Sequence, residues 1–527
     1  MTDEFSPPLR TPRRILALSL PYLSTDRLHR HMFGRSWRDA LRAQPRAPAL
    51  VIVAKIKSAL RLVALDETTA RLGLTRGMAL ADARAMIPAL GVADDDPAAD
   101  LTLLEEVANW AERYTPLVAI DGTNGLMLDI TGAAHLFGGE QALVADLETR
   151  LTGQGFLARA AVADTPGAAS AAARFTDVAV VPHGGIKDML APLPLAALRL
   201  DGETVFAMDR VGLKRIGQIV GSPRAPLAAR FGQGLIRRLD QALGIDEEAI
   251  DPRRPAPSFI AERRFAEPIS REEDIAATLA SLATTLAASL ESHGEGARRL
   301  EFALFRVDGI VARVSVGAGR PIRSPKLVLD LFREKFTGLG EDEIDAGFGF
   351  DMARLSVTAS AVCDPAQIDL AGDAVAEADL DGLIDRIVAR LGSDSVSAII
   401  PSESHIPERN QAMDHGGRIM EKHALPVVSR PSTESPLRLF ARPEPVDAIA
   451  EVPDGPPVHF RWRRALYRVT RAEGPERIAP EWWRDDALTR DYFRVEDSAG
   501  HRFWLFREGL YGRELTAPRW YLHGVFA

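Results

Sequence analysis

Asn124-Gly125, set between the apolar runs Leu117–Ile120 and Leu126–Ile130, narrows what this chain can fold into more than any other feature. Asn-Gly between two β-like runs predicts a tight hairpin, because a type I′ turn holds both central residues at positive φ. By itself the stretch Tyr114–Thr131 specifies a hairpin and nothing more. The chain around it decides what the hairpin serves.

Bulk properties bound the alternatives. At 527 residues the chain exceeds what one hydrophobic core organises, so about three to five domains are expected. Hydrophobic and charged contents of 46% and 26% are ordinary globular values. A net charge of −9 excludes a uniformly basic nucleic-acid coat, so any contact with DNA requires a locally basic surface. The one cysteine, Cys363, excludes an internal disulfide and a cysteine-cluster zinc site, and it fits a reducing, cytoplasmic location. Arg10–Arg14 is basic, but the short apolar run behind it is interrupted at Pro21 and Asp26, so no signal peptide is expected. With no apolar run of about 18 residues, no membrane span is expected.

Along the chain, Ile15–Leu20 reads as a buried strand, followed by a helix over Leu23–His31 with Ser24 or Thr25 as N-cap. Ala49–Ala54 is a second strand. Helices are expected over Ala81–Met86, stopped by Pro88, and over Leu101–Arg113. Ala158–Ser170 is a strand running into a helix of small residues. Leu193–Gly244 is helical and punctuated by glycines, and Asp251–Pro257 is a linker by composition. Ser270 with Glu273 gives a capping-box pattern before a long helix, Asp274–His293. Strands over Arg299–Val307 and Ile310–Val316, a helix over Lys326–Leu339 and a strand over Asp345–Ser360 follow. Leu380–Leu391 is helical, and Pro401–Pro456 is polar, proline-rich and loop-like. Beyond it lie five of the seven tryptophans and three strand-like runs, Arg490–Val495, Arg502–Arg507 and Arg519–His523, which read as a small antiparallel sheet.

Tyr114, Pro116, Leu128 and Asp129 resemble the frame of the catalytic hairpin of Y-family translesion DNA polymerases. There a central Asp-Glu pair holds magnesium; here Asn124 and Gly125 stand in its place. Matched from Ile15, the first-strand metal ligand falls on Ser19, the next acidic place on Pro21, and the gate aromatics on Leu23 and Ser24. Ala70–Met78 resembles the polymerase fingers, but the residues that grip triphosphate fall on Glu67 and Ala70, and a carboxylate repels phosphate. In the strand-to-helix pattern the two lysine places fall on Pro166 and Ser170. Two-metal phosphoryl transfer needs carboxylates to hold Mg²⁺ and cations to neutralise developing charge, and Ser, Asn and Gly do not replace carboxylates on a hard cation. Asp26, Asp121 and Asp129 are the alternative carboxylates for a displaced site, and solvated or turn-capping roles are the other reading of them. No catalytic residue, metal site or cofactor is therefore expected.

Val211–Ile219 resembles the second half of a helix-hairpin-helix in a polymerase thumb, where backbone N–H groups meet a DNA phosphate; the first hairpin reads Arg199-Leu-Asp201. The unit Phe259–Ala361 resembles the little finger that Y-family polymerases append. Its Arg298, Arg299, Arg306, Arg313, Arg320, Arg323 and Lys326, opposed only by Glu301 and Asp308, are the candidate DNA-backbone surface. Gln367, Ile368, Asp369 and Leu370 resemble the peptide by which bacterial polymerases dock on the sliding clamp, with Ala371 where an aromatic is usual. Pro436–Phe440 is a second candidate, with the aromatic but without the glutamine.

The tail, with Glu481-Trp-Trp483 and the closing Trp520–Phe526, resembles that of the ImuB family, the polymerase-like subunits of a bacterial mutagenesis cassette. The resemblance covers nearly the whole chain. It implies an α/β multidomain fold: palm-like over 1–30 and 90–185, fingers-like over 31–89, a helical thumb over 186–250 and a little finger over 258–361. A linker with the clamp peptide would span 362–456, and a C-terminal Trp-rich, mainly β partner-binding domain 457–527. It also implies a non-catalytic scaffold that meets DNA, the sliding clamp, the RecA-like ImuA and an error-prone C-family DNA polymerase, with no membrane partner. The alternative is an active Y-family polymerase with relocated metal ligands.

Overall fold

The computed structural model describes residues 13–38, 49–340, 344–363, 373–415, 436, 438–452, 454–484 and 486–526. The chain forms two compact units, Met1–Arg390 and Leu391–Ala527.

The first unit begins with β1 (Ile15–Ser19). Outside it, β2 (Leu50–Ile56), β3 (Ala59–Leu65) and β4 (Gly91–Asp94) form a small sheet in the order β3-β2-β4, β4 running parallel to β2. The hairpin strands β5 (Val118–Asp121) and β6 (Gly125–Asp129) join β1 and β7 (Arg159–Ala163) in a four-stranded sheet, β5-β6-β1-β7. The strands alternate faces, and each face finds its own helices. Leu16, Leu18, Leu126 and Leu128 pack on helices Pro97–Ala111 and Glu140–Gly153 through Leu104, Val107, Leu143 and Leu147. Ile15, Ala17, Met127 and Ala161 meet the helix Pro166–Phe175, whose alanines allow close approach. That closeness is tight at Gly167, where a Cβ would lie 2.9 Å from Ala242 Cα. Ala242 belongs to the last of the short helices between Ile186 and Leu243, which share this core.

The predicted hairpin forms, but not with the predicted turn. Asp121 pairs with Gly125, so the loop is Gly122-Thr123-Asn124, with Gly122 at φ 65° and neither Asn124 nor Gly125 at positive φ. Two capping expectations also fail. The helix Leu23–Phe33 is preceded by Tyr22, leaving Ser24 and Thr25 inside it, and Thr25 bonds the carbonyls of Tyr22 and Leu65. The helix Glu272–Ser292 starts at Arg271 without a side-chain cap, so Ser270 and Glu273 form no capping box.

That helix and Pro325–Gly338 cover one face of a second four-stranded sheet. It consists of β8 (Phe259–Ile269), β9 (Glu295–Arg306), β10 (Val311–Ile322) and β11 (Phe350–Val362), in the order β10-β9-β11-β8. Leu279, Leu282, Leu286 and Phe332 meet Leu300, Phe302, Leu304 and Leu355 in its core. Glu272–Ser292 is the one described helix long and apolar enough, by length and composition, to cross a membrane. Its Ile275–Leu279–Leu282–Leu286–Leu290 stripe is buried against the sheet.

In the second unit, β12 (Ser397–Pro401) and β13 (Gln411–His415) form a hairpin. A closed barrel follows. It is built from β14 (Arg438–Ala450), β15 (Pro457–Trp462), β16 (Ala465–Ile478), β17 (Arg490–Asp497), β18 (Arg502–Glu508) and β19 (Arg519–Val525), each paired to the next and the last to the first. The loop-like reading of Pro401–Pro456 is thereby corrected. Residues 438–450 form a barrel strand that Pro443 and Pro445 hide from a propensity reading, because proline is depleted in strands. Closure leaves no unpaired edge, which a three-strand sheet would. Phe460, Phe493, Val495, Phe503, Leu505 and Leu522 fill the interior.

Candidate functional site

Ser19, Asn124 and Gly125, at which the polymerase resemblance places metal ligands, meet at one end of the first sheet. Ser19 is paired across β1 and β6 with Gly125, and across β1 and β7 with Arg159. Asn124 sits in the adjoining loop, and its carbonyl accepts from Leu20 N–H at 2.8 Å. The feature there that sequence reasoning missed is Arg174, from the end of the small-residue helix. Its guanidinium donates to Asn124 Oδ1 at 3.1 Å and lies 3.4 Å from Asp121 Oδ2. Gly125 is what admits it: a Cβ on Gly125 would lie 2.7 Å from Arg174 Nη2, 2.9 Å from the Asp121 carbonyl and 3.1 Å from the Leu18 carbonyl. The Arg174 guanidinium, held by Asn124 and Asp121, lies where a side chain on Gly125 would project. A glycine opening a buried strand was the available signal; nothing in the sequence identifies its arginine neighbour.

The alternative carboxylates are scattered and held by other arginines. Asp26 is buried on the first helix, with Arg38 at 2.7 Å and Leu157 N–H at 3.0 Å. Burial outweighs those partners and pushes its carboxyl up to about 6. Asp121 lies between Arg174 and Arg199. Asp129, at the far end of β6, pairs with Arg13 at 3.1 Å. Among the described residues no three His, Cys, Asp or Glu side chains converge on one point. Glu67 holds Arg38 and Arg71. Pro166 opens its helix, and the buried Ser170 hydroxyl has no partner among the described residues.

In the thumb-like region, Lys214 N–H and Arg215 N–H both donate to Gln218 Oε1, at 2.7 and 2.9 Å, so the second hairpin's amides are internally satisfied. Asp201 caps the helix Gly202–Asp209 through Thr204 N–H.

The seven basic residues of the second sheet and of the helix Pro325–Gly338 with its approach divide sharply. Arg298 donates to the Gly319 carbonyl, and Arg306 is held by Asp308 and Asp345. Arg313 bridges Glu301 and Glu112, Arg320 pairs with Asp381, and Arg323 donates to the carbonyls of Glu295 and Cys363. The side chains of Arg299 and Lys326 are exposed with no ion pair or hydrogen bond among the described residues. Charge counting could not separate these sets, because several of the acids lie far off in sequence. Glu112 ends the helix that precedes the hairpin, and its neighbour Arg113 reaches Asp351 of β11 at 2.8 Å, which Arg150 also contacts at 2.7 Å. Arg354, buried, donates to the Glu112 carbonyl and to Glu262. These bonds fasten the second sheet to the first. Gln367, Ile368, Asp369 and Leu370 lie outside the described residues, as does Leu437 of the second peptide.

A four-stranded palm-like sheet, a fingers-like sheet, short thumb-like helices and a helix-backed second sheet, followed by a barrel, define a Y-family polymerase-like protein. Residues 36–174 match the impB/mucB/samB family and residues 256–394 its C-terminal domain, together more than half of the chain. The chain belongs to this family, and within it to the group of Protein ImuB of Caulobacter vibrioides (strain NA1000 / CB15N), with which it is 46% identical over 468 residues, covering 86% of this chain and 100% of that protein. DNA polymerase IV of Dehalococcoides mccartyi (strain CBDB1) is 21% identical over 69% of this chain and 94% of its own length. The crystal structure of DinB from Sulfolobus solfataricus aligns over 67% of this chain and 100% of its own, with 12% identity and a TM-score of 0.37.

Proposed function

We propose that this chain is a non-catalytic, polymerase-like scaffold for damage-induced translesion synthesis and mutagenesis, which docks on the sliding clamp and recruits ImuA and an error-prone C-family DNA polymerase. The observation that carries the reading is the end of the first sheet. Ser19, Asn124 and Gly125 offer no carboxylate, and the Arg174 guanidinium fills the space a side chain on Gly125 would need. Two divalent ions brought there would meet the positive charge of Arg174 and lack hard anionic ligands. Asp26, Asp121 and Asp129 are too dispersed, and too fully engaged by Arg38, Arg174, Arg199 and Arg13, to serve as relocated ligands. The relatives named ImuB support the scaffold role; the partners are carried over from that family resemblance. DNA contact in this unit would centre on Arg299 and Lys326, the two unpaired members of the expected basic set. Arg298, Arg306, Arg313, Arg320 and Arg323 would act by holding the surface that presents them.

Primer extension with purified protein, Mg²⁺ and all four nucleotides tests the chemistry. No incorporation is expected from the parent chain, or from Ser19→Asp with Asn124→Asp and Gly125→Glu while Arg174 remains. Incorporation by the parent, free of contaminating polymerase and abolished by Asp121→Asn or Asp129→Asn, refutes the reading. Clamp pull-down tests the docking: Gln367→Ala with Leu370→Ala should lose the clamp, alone or together with changes in Pro436–Phe440.

A further inference from the structure

The β15–β16 hairpin reads Arg461-Trp-Arg-Arg-Ala-Leu-Tyr-Arg468, four arginines in eight residues without an acid. Its two-residue turn is Arg463-Arg464, with φ of 48° and 72°. Asn and Gly hold such a turn with least strain; two arginines there are an outlier of the kind that accompanies function. Arg463 folds back onto Glu444, at 2.5 Å, and over the Trp462 ring, whereas Arg464 stays at the tip.

Register shows which side chains share the outer wall. Asp447, Arg461 and Leu466 lie directly opposite one another in one row, and Ile449, His459 and Arg468 in the next. The residues between them, Ala448, Phe460 and Tyr467, face the core. Pro445 pairs with Tyr521, which continues the wall towards Arg519. Ile449, His459, Arg461, Leu466, Arg519 and Tyr521 thus line an open groove of about 720 Å³. Ile449 and Leu466 are 60% and 63% exposed in it.

Arg471, Arg477, Arg490, Arg494 and Arg507 all have carboxylate partners. The guanidiniums of Arg461, Arg464, Arg468 and Arg519 are exposed and make no ion pair or hydrogen bond among the described residues, as is also true of Arg438, Arg442 and Arg513 elsewhere in this unit. Four of the unpaired guanidiniums thus lie along one groove and one turn, with apolar and aromatic side chains between them, and Asp447 is the single carboxylate in the two rows.

We infer that this groove and hairpin tip bind single-stranded DNA, the arginines on phosphates and Tyr521, Ile449 and Leu466 against base faces. Phosphate contact alone would suit a duplex equally well. The interleaved apolar side chains decide for a single strand, whose base faces are open, whereas in a duplex those faces are stacked on one another. Every residue of this site belongs to the second unit, and the site does not depend on whether the chain is catalytic.

The test is fluorescence anisotropy of a labelled thymidine oligomer of about 16 nucleotides with the full chain across a salt series. For Arg461→Ser with Arg464→Ser and Arg468→Ser, affinity should fall about tenfold or more at low salt. The slope of log K against log salt should shrink by about two, three contacts at about 0.7 each. Arg471→Ser with Arg477→Ser, which removes paired guanidiniums, should stay within about twofold of the parent. Arg464→Asn relaxes the turn while removing its cation, so thermal stability should rise as DNA binding weakens, a divergence a purely structural residue would not give. Unchanged affinity and slope in the triple variant, an equal loss in the paired control, or no binding by the parent overturns the inference. So does a triple variant that keeps DNA but loses a protein partner, which would place a peptide in the groove. Primer extension is indifferent to all of these outcomes, so the two readings fail separately.

Discussion

Gly125→Ala perturbs the end of the first sheet by a single methyl group. The added carbon would sit 2.7 Å from Arg174 Nη2, 2.9 Å from the Asp121 carbonyl and 3.1 Å from the Leu18 carbonyl. The guanidinium can swing aside, but the two carbonyls belong to paired strands and cannot. Overpacking of this kind costs about 1–3 kcal/mol. Displacing Arg174 also weakens its charge-assisted bond to Asn124, worth about 1.5 kcal/mol at a site partly open to water. The lower entropy of an unfolded alanine returns about 0.4–1 kcal/mol. The net loss is about 2 kcal/mol, or roughly thirtyfold faster hydrogen exchange where opening of the sheet governs it. Exchange measured by mass spectrometry on peptides spanning Leu126–Leu128 and Leu16–Leu18 reads this directly. Adding Arg174→Ala should recover only the part due to the guanidinium. Exchange within about threefold of the parent would show that the 122–124 loop yields freely and that Gly125 is not required by the packing at this end of the sheet.

Asp351→Ala should loosen the second sheet from the first, because it strands the buried Arg113, whose side chain is 5% exposed, without its carboxylate. A cost of about 3–5 kcal/mol is expected, read as faster exchange in β11 and earlier proteolysis within Asp251–Ser258; an unchanged cleavage rate would refute it. Asp26 gives a pH signature. Its folded value is raised from 3.8 to about 6, so the folded chain binds the extra proton between those values, and stability falls as pH rises through that window and levels off above it. Asp26→Asn should flatten this slope in melting temperature against pH, and a parallel profile would contradict it.

The first sheet was legible in the sequence because alternation records which residues face a core, and that requirement is local. Ile15–Leu20, the hairpin around Asn124 and the strand after Ala158 all announce themselves this way, and so does the helix Glu272–Ser292 through its spacing of Ile and Leu. The turn was misplaced because Asn124 is used differently: its side chain accepts from Arg174 and its carbonyl from Leu20, and Gly122 takes the positive φ instead. β14 was missed because its prolines erase the propensity signal, whereas the barrel supplies it with partners on both sides. The residue types at positions 19, 124 and 125 are fixed by the sequence, and with them the shortage of hard anionic ligands. Which arginines remain available to a polyanion was decided only in three dimensions. Arg313 and its partner Glu112 are 201 residues apart, as are Arg150 and Asp351, whereas Arg461, Arg464 and Arg468 make no ion pair among the described residues. Burial periodicity is written into neighbouring residues; the neutralisation of a charge depends on what the completed fold carries to within a few ångströms of it.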